Sequence, residues 1–349
     1  MLGAAASRIR VVGASTPVNL SAEIERLEAV WARGDAGAPR FVYGAGVDHR
    51  AAREALDRAA GRLEAEGELG RIYAARAREL SVEASICEAA GRAGYWAAAR
   101  RRYAARDQFD AEADALAGAW LEEPDPLDAA PGPAPPPVRS DDEGAPGSLL
   151  CRMREGIGAR RLAARVVVLD IAPLAATGDG VIQVASGRFL TREDVERTVL
   201  HELDGHAAPS ARAAGLRPGI FMIGTARGGD DQEGRALAIE RAAGYLVGER
   251  RRELALRHVA ARSVERGADF VETARLLATR GAQGVRDALR IAARVHRGGG
   301  LGREVVYLPA LLRVEAALLA QPGLADMLGA GRVSVDAAPA LANWARAAI

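Results

Sequence analysis

The chain of 349 residues contains no lysine, so all 47 of its basic residues are arginine. Chemistry that needs a lysine, such as a Schiff base or a lysine base of lowered pKa, is therefore excluded. Cysteine is scarce as well, since only Cys87 and Cys151 are present and they do not form a CxxC pair. We expect two reduced thiols and no disulfide framework.

The sequence also lacks long apolar runs and an excess of one charge. No window holds about 18 uninterrupted apolar residues, and the first residues lack the continuous apolar core of a leader peptide. The 47 basic and 46 acidic residues nearly cancel and alternate along the predicted helices instead of forming a basic stripe. These absences predict a cytoplasmic protein that binds neither membrane nor nucleic acid.

What is present predicts a globular and mainly helical protein. Apolar residues recur at intervals of three and four from Ser21 to about Leu121, which predicts a helical scaffold over residues 1–122. Only RFVYG, residues 40–44, interrupts it as a short edge strand. Residues 123–147 are dense in Pro, Gly and charge and predict a linker or surface loop. Residues 148–349 form the predicted catalytic region, packed with the rest as one unit.

Two β-branched runs follow the predicted loop, at residues 164–172 and 180–186. These runs predict two neighbouring strands joined by a loop that contains Gly178 and Gly180. The second run is a candidate edge strand that binds an extended peptide by β-addition, with an ordinary sheet strand as the equal alternative. A small sheet is therefore expected just before the most informative segment of the chain.

That segment is HELDGH, residues 201–206, on a helix whose start is marked by the capping pair Thr191 and Asp194. In a regular α-helix, a five-residue spacing turns the second histidine about 140° from the first, whereas the four-residue spacing of HExxH misses alignment by about 40°. A π-bulge of about 4.4 residues per turn restores the alignment, and Gly205 favours such a distortion. The spacing predicts a π-bulge.

The residue types in this segment indicate a hydrolytic zinc site. Such a site needs three protein donors, an open position for water and a carboxylate that takes a proton from that water. His201, His206 and Glu233 are the candidate ligands, and Glu202 is the candidate base. Glu233 lies in a second acidic helix start, QEG, about thirty residues on. The alternative is a surface helix with two unrelated histidines.

At these residues the chain resembles the QEGLA-motif family, often labelled flavohemoglobin expression-modulating, which is related to microtubule-associated tyrosine carboxypeptidases. The resemblance covers most of the chain, beginning at residues 16–46. HELDGH stands where the family carries HEIGTH, and residues 232–236 read QEGRA against QEGLA. Residues 297–299 and 303–308, RGG and REVVYL, resemble a late family segment. The departures are L-D-G for I-G-T in the first motif and Arg235 for the leucine of the second.

The resemblance implies an α+β, predominantly α-helical and zincin-like metallopeptidase with a small sheet beside the metal helix. It also implies one Zn²⁺ per chain and release of a C-terminal aromatic residue, tyrosine or phenylalanine, from a peptide or protein. His201, Glu202, His206 and Glu233 are all retained, so the departures bear on substrate preference more than on metal binding. The tubulin partner of the eukaryotic relatives does not carry over, because no segment resembles a tubulin-binding extension.

Further roles follow from the chemistry that such an enzyme needs. The oxyanion needs a donor, for which Tyr307 is preferred over His258 and His296. The terminal carboxylate of the substrate needs a bidentate partner, and Arg303 or Arg297 could provide it.

A second carboxylate is expected behind the metal ligands. Glu240 lies two helical turns beyond Glu233 on the same face and is a candidate to hold a ligand histidine, a role for which Asp204 is also considered. Two other functions remain open: a catalytically inactive metal-binding interaction protein, and a zinc hydrolase of a non-peptide amide. Glu202 disfavours the first, because a purely structural zinc site needs no base.

Overall fold

The computed structural model describes residues 1–104, 108–124, 136–171 and 173–347. The chain divides into two compact units. Unit 1 comprises Met1–Glu123 and Arg251–Pro309, and unit 2 comprises Pro124–Arg250 and Ala310–Ile349. The predicted division into residues 1–122, 123–147 and 148–349 stays a prediction. Helices dominate both units and the strands are short, so the predicted α+β, predominantly helical fold is confirmed.

The α-helices of the described residues are α1 (Leu2–Arg8), α2 (Val11–Ser15), α3 (Leu20–Ala32), α4 (Arg50–Leu63), α5 (Gly67–Ala89), α6 (Tyr95–Tyr103), α7 (Asp110–Glu122), α8 (Leu149–Ala159), α9 (Arg192–Leu200), α10 (Ala208–Ala214), α11 (Ile220–Ile223), α12 (Gly228–Ala242), α13 (Gly248–Glu265), α14 (Phe270–Thr279), α15 (Val285–His296), α16 (Tyr307–Ala320), α17 (Ala325–Leu328) and α18 (Ala338–Ala342). A π-helical segment covers His201–Ala207, and 3-10 turns cover Arg297–Gly299, Arg303–Val306 and Pro322–Leu324. The strands are β1 (Val138–Arg139), β2 (Arg165–Leu169), β3 (Ala175–Gly178), β4 (Val181–Ala185), β5 (Phe189–Leu190), β6 (Leu216–Arg217) and β7 (Arg346–Ala347).

Unit 1 is helical because its apolar residues recur at helical spacing and bury one face of each helix. One buried cluster, which includes Leu27, Leu277 and Leu289, joins α3, α14 and α15. A second, which includes Leu56 and Leu80, joins α4 and α5. The described part of residues 1–122 is therefore mainly helical, and residues 251–309 belong to the same unit.

The predicted edge strand at residues 40–44 is wrong. These residues form an extended segment without strand pairing, held by Asn19 at the start of α3. The Asn19 side chain donates to the carbonyl of Arg40 at 2.9 Å and accepts from the amide of Val42 at 2.9 Å. Because these bonds satisfy the backbone of the segment, it needs no neighbouring strand.

Unit 2 contains the predicted sheet next to the metal helix. Its strand order is β2-β4-β3, with β2 and β4 parallel and β4 and β3 antiparallel. The prediction of neighbouring strands at residues 164–172 and 180–186 is confirmed, although part of the connection between them forms β3. The edge-strand prediction for residues 180–186 is wrong, because β4 is the central strand. Among the described strands of this sheet, β3 and β2 lie at the edges.

The core of unit 2 lies between this sheet and the helix pair α8 and α9. Leu149 and Met153 of α8 pack with Ile182 of β4 and with Leu203 of the π-helical segment, and all four side chains are fully buried. The sheet and α8 therefore pack against the helix that carries HELDGH.

The predicted loop at residues 123–147 is partly described. Residues 125–135 of it lie outside the described residues. Val138–Arg139 pairs antiparallel with Phe189–Leu190, and the buried hydroxyl of Ser140 donates to the carbonyl of Ala185 at 2.6 Å. The end of the segment is therefore bonded into unit 2.

The apolar periodicity of residues 232–260 predicts one helix that begins at QEG, but the structure has two, the first of which begins earlier, at Gly228. α12 ends at Ala242, where Gly244 has a left-handed φ of 81°, and α13 begins at Gly248. The prediction missed this break because the sequence GYLVG between the helices keeps a helical apolar spacing despite its two glycines.

Candidate metal centre

The helix that carries HELDGH begins with the predicted capping box. The Thr191 hydroxyl accepts from the amide of Asp194 at 3.1 Å, and the Asp194 carboxylate accepts from the amide of Thr191 at 3.3 Å. The helix is regular through Leu200 and then π-helical from His201 to Ala207. The distortion predicted from the five-residue spacing is therefore confirmed.

The sequence contains a further cause of this distortion, which our sequence analysis missed. Pro209 lies inside a helix that runs without interruption from Arg192 to Ala214. A proline within a helix has no N–H and its ring clashes with the carbonyl four residues earlier, here that of Gly205. Widening the turn before the proline relieves the clash, and the Ala208 amide bonds to Leu203 O, five residues back. Pro209 and the histidine spacing thus favour the same local structure.

Two glycines bring α12 close to its neighbours. A Cβ on Gly205 would lie 2.6 Å from the Cβ of Ala236, so the π-helical segment and α12 meet without a side chain between them. A Cβ on Gly234 would lie 2.4 Å from the carbonyl carbon of Ala310, on the first turns of α16. Glu233 precedes Gly234 by one residue and Ala236 by three, so its position toward the two histidines depends on both contacts.

Gly205→Ala is expected to destabilise unit 2 by about 1–3 kcal/mol, because overpacking must push the π-helical segment and α12 apart. The variant should also bind metal more weakly than the native protein, since the same contact brings Glu233 to the histidines. Thermal unfolding and zinc titration would measure the two effects. Gly158→Ala is the matched control: it lies in α8, its Cβ would meet nothing within 4 Å, and alanine should be neutral or stabilising by up to about 1 kcal/mol. Equal stability of the two variants would contradict the packing argument.

Three donor atoms converge in unit 2. Nε2 of His201 and Nε2 of His206 are 3.2 Å apart, and Oε2 of Glu233 lies 3.6 Å from the first and 3.7 Å from the second. Three ligands at zinc bond lengths of about 2.0–2.2 Å in tetrahedral geometry lie about 3.3–3.6 Å from one another. The residues thus fit one small cation, and these three side chains form a candidate metal-binding group within the described chain.

The fourth residue, Glu202, lies next to His201 in the π-helical segment and is 7% exposed. Its Oε2 is buried and hydrogen bonds to none of the described residues. A buried carboxylate oxygen without a partner is costly unless a water or a ligand satisfies it. This oxygen is therefore available to a water or a ligand.

Glu240 lies behind the site, completely buried on α12. Its Oε1 is 2.6 Å from Nδ1 of His201, and Arg250 donates to both of its oxygens at 2.9 Å. Burial by itself would raise the pKa of Glu240, but Arg250 and His201 outweigh it and lower the pKa to about 2. An ionised carboxylate can only accept, so Nδ1 of His201 carries a proton, and Nε2 is the nitrogen left to bind a cation.

The same contacts act on His201. Burial lowers its pKa, but the neighbouring carboxylates of Glu233 and Glu240 raise it more, to about 9. The pocket therefore favours positive charge at the Nε2 edge of this ring. A cation bound there takes the place of the proton and meets the same negative surroundings.

A family model described as microtubule-associated tyrosine carboxypeptidase matches residues 30–349. The match covers both units and includes all four residues of the centre. The chain belongs to this family. Membership confirms the resemblance to tyrosine carboxypeptidases and indicates a peptidase-like enzyme. No curated protein and no solved structure matches the chain.

The other residues considered for the family's reaction lie in unit 1. Arg303 donates to the hydroxyl of Tyr307 at 2.7 Å, and the guanidinium of Arg257 lies 4.7 Å from the centre of the Tyr307 ring. Arg297 is nearly buried, with Nη2 3.6 Å from the Glu304 carboxylate. Burial, together with the neighbouring Arg294, lowers the pKa of Arg297 to about 10. The structure thus groups Tyr307, Arg303 and Arg297 in one unit, and it places the metal residues in the other.

The two alternative oxyanion donors are also in unit 1 and already have partners. Nε2 of His258 lies 2.8 Å from Oδ1 of Asp114, and Nε2 of His296 lies 2.9 Å from the hydroxyl of Thr273. Burial lowers the pKa of His296 to about 4, so this ring is neutral at ordinary pH. Both contacts join each histidine to a neighbouring helix of the same unit.

Asp204 is the other candidate from the sequence for holding a ligand histidine, but its carboxylate pairs with an arginine instead. Its two carboxylate oxygens accept from Nε and Nη2 of Arg160, both at 2.7 Å. The sequence also gave no sign of Arg250, because it is one of several arginines in GERRRELALR. Long-range partners of this kind leave no local pattern.

In the part of the chain that the structure describes, no helix combines the length and the apolar character that crossing a bilayer requires.

Proposed function

We propose that the protein is a zinc-dependent carboxypeptidase that releases a C-terminal aromatic residue, tyrosine or phenylalanine, from a peptide or protein. The convergence of His201, His206 and Glu233, with the buried Glu202 beside them, carries this proposal. Two imidazoles and one carboxylate are the donor set of hydrolytic zinc sites such as those of metallopeptidases. One zinc per chain is expected.

When bound, zinc acts as a Lewis acid and lowers the pKa of water that it holds. Glu202 then acts as general base, taking a proton from the attacking water, and as general acid, passing it to the leaving amine. The leaving group is a free amino acid. Glu240 and Arg250 hold His201 in the tautomer that leaves Nε2 available.

Substrate recognition in this proposal uses side chains that carry the right chemistry. Arg303 or Arg297 pairs with the terminal carboxylate, and Tyr307 donates to the developing oxyanion. The contact between Arg303 and the Tyr307 hydroxyl supports a joint role, because a change in one side chain moves the other. In the assay below, Tyr307→Phe should lower kcat, and Arg303→Leu should raise KM. Native values for either variant would remove that residue from the mechanism.

The peptide itself is proposed to lie along β3. This strand has β4 on one side only, it packs against the π-helical segment, and it contains Thr177, whose buried hydroxyl hydrogen bonds to no described residue. An open strand edge offers backbone groups to an extended chain. The substrate backbone would then pass beside the metal residues of the same unit.

The test uses peptides that differ only in their last residue, incubated with zinc-loaded protein. Released amino acids would be measured by mass spectrometry. We expect single tyrosine or phenylalanine residues to appear and the release to stop when a chelator removes the metal. The matched control is the same peptide with an amidated C-terminus, which should resist cleavage because its charged carboxylate is lost.

Other outcomes distinguish the alternatives. Internal fragments would mean an endopeptidase instead of a carboxypeptidase. Zinc binding without cleavage of any peptide would favour an inactive metal-binding protein or a hydrolase of non-peptide amides. Glu202 argues against the inactive protein, since a structural zinc site has no use for a buried base.

A further inference from the structure

Asp204 lies between the two histidines in sequence, and its main-chain carbonyl lacks the regular hydrogen-bond donor of a π-helix. In the π pattern each carbonyl accepts from the amide five residues on, as Leu203 O does from Ala208. The corresponding residue for Asp204 is Pro209, which has no N–H. A helical carbonyl inside a packed unit needs another donor.

Arg235 supplies that donor from a different helix. Its Nη1 donates to the carbonyl oxygen of Asp204 at 2.9 Å. Arg235 is on α12, two residues beyond Glu233, so this bond links the π-helical segment to the helix that brings the third ligand. A charged N–H makes a stronger hydrogen bond than a neutral amide.

The side chain of Asp204 is fixed as well. Arg160, at the end of α8, donates to both carboxylate oxygens at 2.7 Å and also to the carbonyl of Gly156. Asp204 is therefore held from α8 through its carboxylate and from α12 through its carbonyl. These bonds restrain the widened turn whose ends are His201 and His206.

We propose that Arg235 is a positioning residue for the metal centre, replacing the backbone donor that Pro209 removes from the π turn. This rests on the proposed metal binding by His201, His206 and Glu233. Removing such a supporting contact is expected to weaken metal affinity by about 10-fold or more, within the range of 10–100-fold found for partners that orient ligands.

The experiment compares Arg235→Met, which keeps a long apolar side chain but no donor, with Arg235→Lys, which keeps a charged donor. Zinc affinity would be measured by competition with a chromophoric chelator, and the visible spectrum of the Co²⁺ form would report the ligand geometry. We expect the Met variant to lose affinity and to show an altered spectrum, and the Lys variant to stay closer to the native protein. Arg241→Met is the control, because Arg241 is on the same helix but pairs with Glu315.

The decisive comparison adds Pro209→Ala to the Met variant. Alanine restores an N–H at the position that the π pattern assigns to Asp204 O, so Arg235→Met should lower zinc affinity less in the Pro209→Ala background than in the native background. A loss caused only by poorer packing of α12 would not recover in this way. If Arg235→Met fails to fold, Arg235→Leu, which carries the residue of the family's QEGLA motif and also lacks a donor, provides the same comparison with and without Pro209→Ala.

Each outcome decides the inference. Native zinc affinity and a native Co²⁺ spectrum in Arg235→Met would overturn it, and so would a loss that Pro209→Ala does not reduce. If the native protein itself binds no zinc, the proposed function fails, which is distinct from a native protein that binds zinc and an Arg235→Met variant that binds it equally well.

Discussion

Glu202→Gln is expected to lower kcat for peptide cleavage by about 10²–10⁴-fold, because glutamine cannot take the proton from the attacking water. Zinc content should stay at one equivalent, since Glu202 is not among the three converging ligands. The two side chains have the same shape, so folding should be preserved. Metal analysis and single-turnover kinetics on the same preparation would measure both quantities.

The matched control for this variant is Glu196→Gln. Glu196 is on the preceding helix, α9, and pairs with Arg152 outside the centre. Its replacement should leave kcat unchanged. Undiminished turnover in Glu202→Gln would remove the general base from the mechanism, and loss of zinc would mean that Glu202 helps to hold the metal.

Glu240→Ala is expected to have the largest combined effect on metal affinity and stability. His201 loses the acceptor that fixes its tautomer, which should weaken zinc binding by about 10–100-fold. Arg250 loses both charge-assisted bonds to a completely buried carboxylate, which should cost about 3 kcal/mol of unfolding free energy. Denaturant unfolding of the metal-free protein separates the second effect from the first.

Glu315→Ala is the control for this pair of effects. Glu315 pairs with Arg241, both side chains are about one-third exposed, and such a pair contributes at most about 1 kcal/mol. Glu240→Gln refines the test, because its amide oxygen still accepts from His201 but its charge is gone. Unchanged zinc affinity in both Glu240 variants would show that this carboxylate serves only the fold.

The residues at which the chain departs from the family motifs are coupled. Arg235 stands for the leucine of QEGLA and Asp204 lies in the L-D-G stretch, and the structure joins them by a hydrogen bond. Gly205, in the same stretch, allows the close approach of Ala236. These changes therefore act on the contact between the π-helical segment and α12. From the sequence alone, the same departures are expected to bear mainly on substrate preference.

The sequence by itself determined the features that depend on neighbours along the chain. The five-residue spacing of His201 and His206 predicted the π-helical turn, because both histidines can face one point only if the helix widens. The pair Thr191 and Asp194 predicted the start of that helix for a similarly local reason. Helical periodicity likewise predicted the mainly helical fold, since each amphipathic face must be buried.

Only the tertiary structure decided which distant groups meet. The edge position in the sheet belongs to β3 instead of residues 180–186, because strand order depends on pairing over the whole sheet. Residues 40–44 bond to Asn19 instead of a strand. Arg250, Arg160 and Arg235 resemble the many other arginines in sequence. Their roles arise because folding places each guanidinium beside one particular acceptor, and this placement depends on packing that no local pattern encodes.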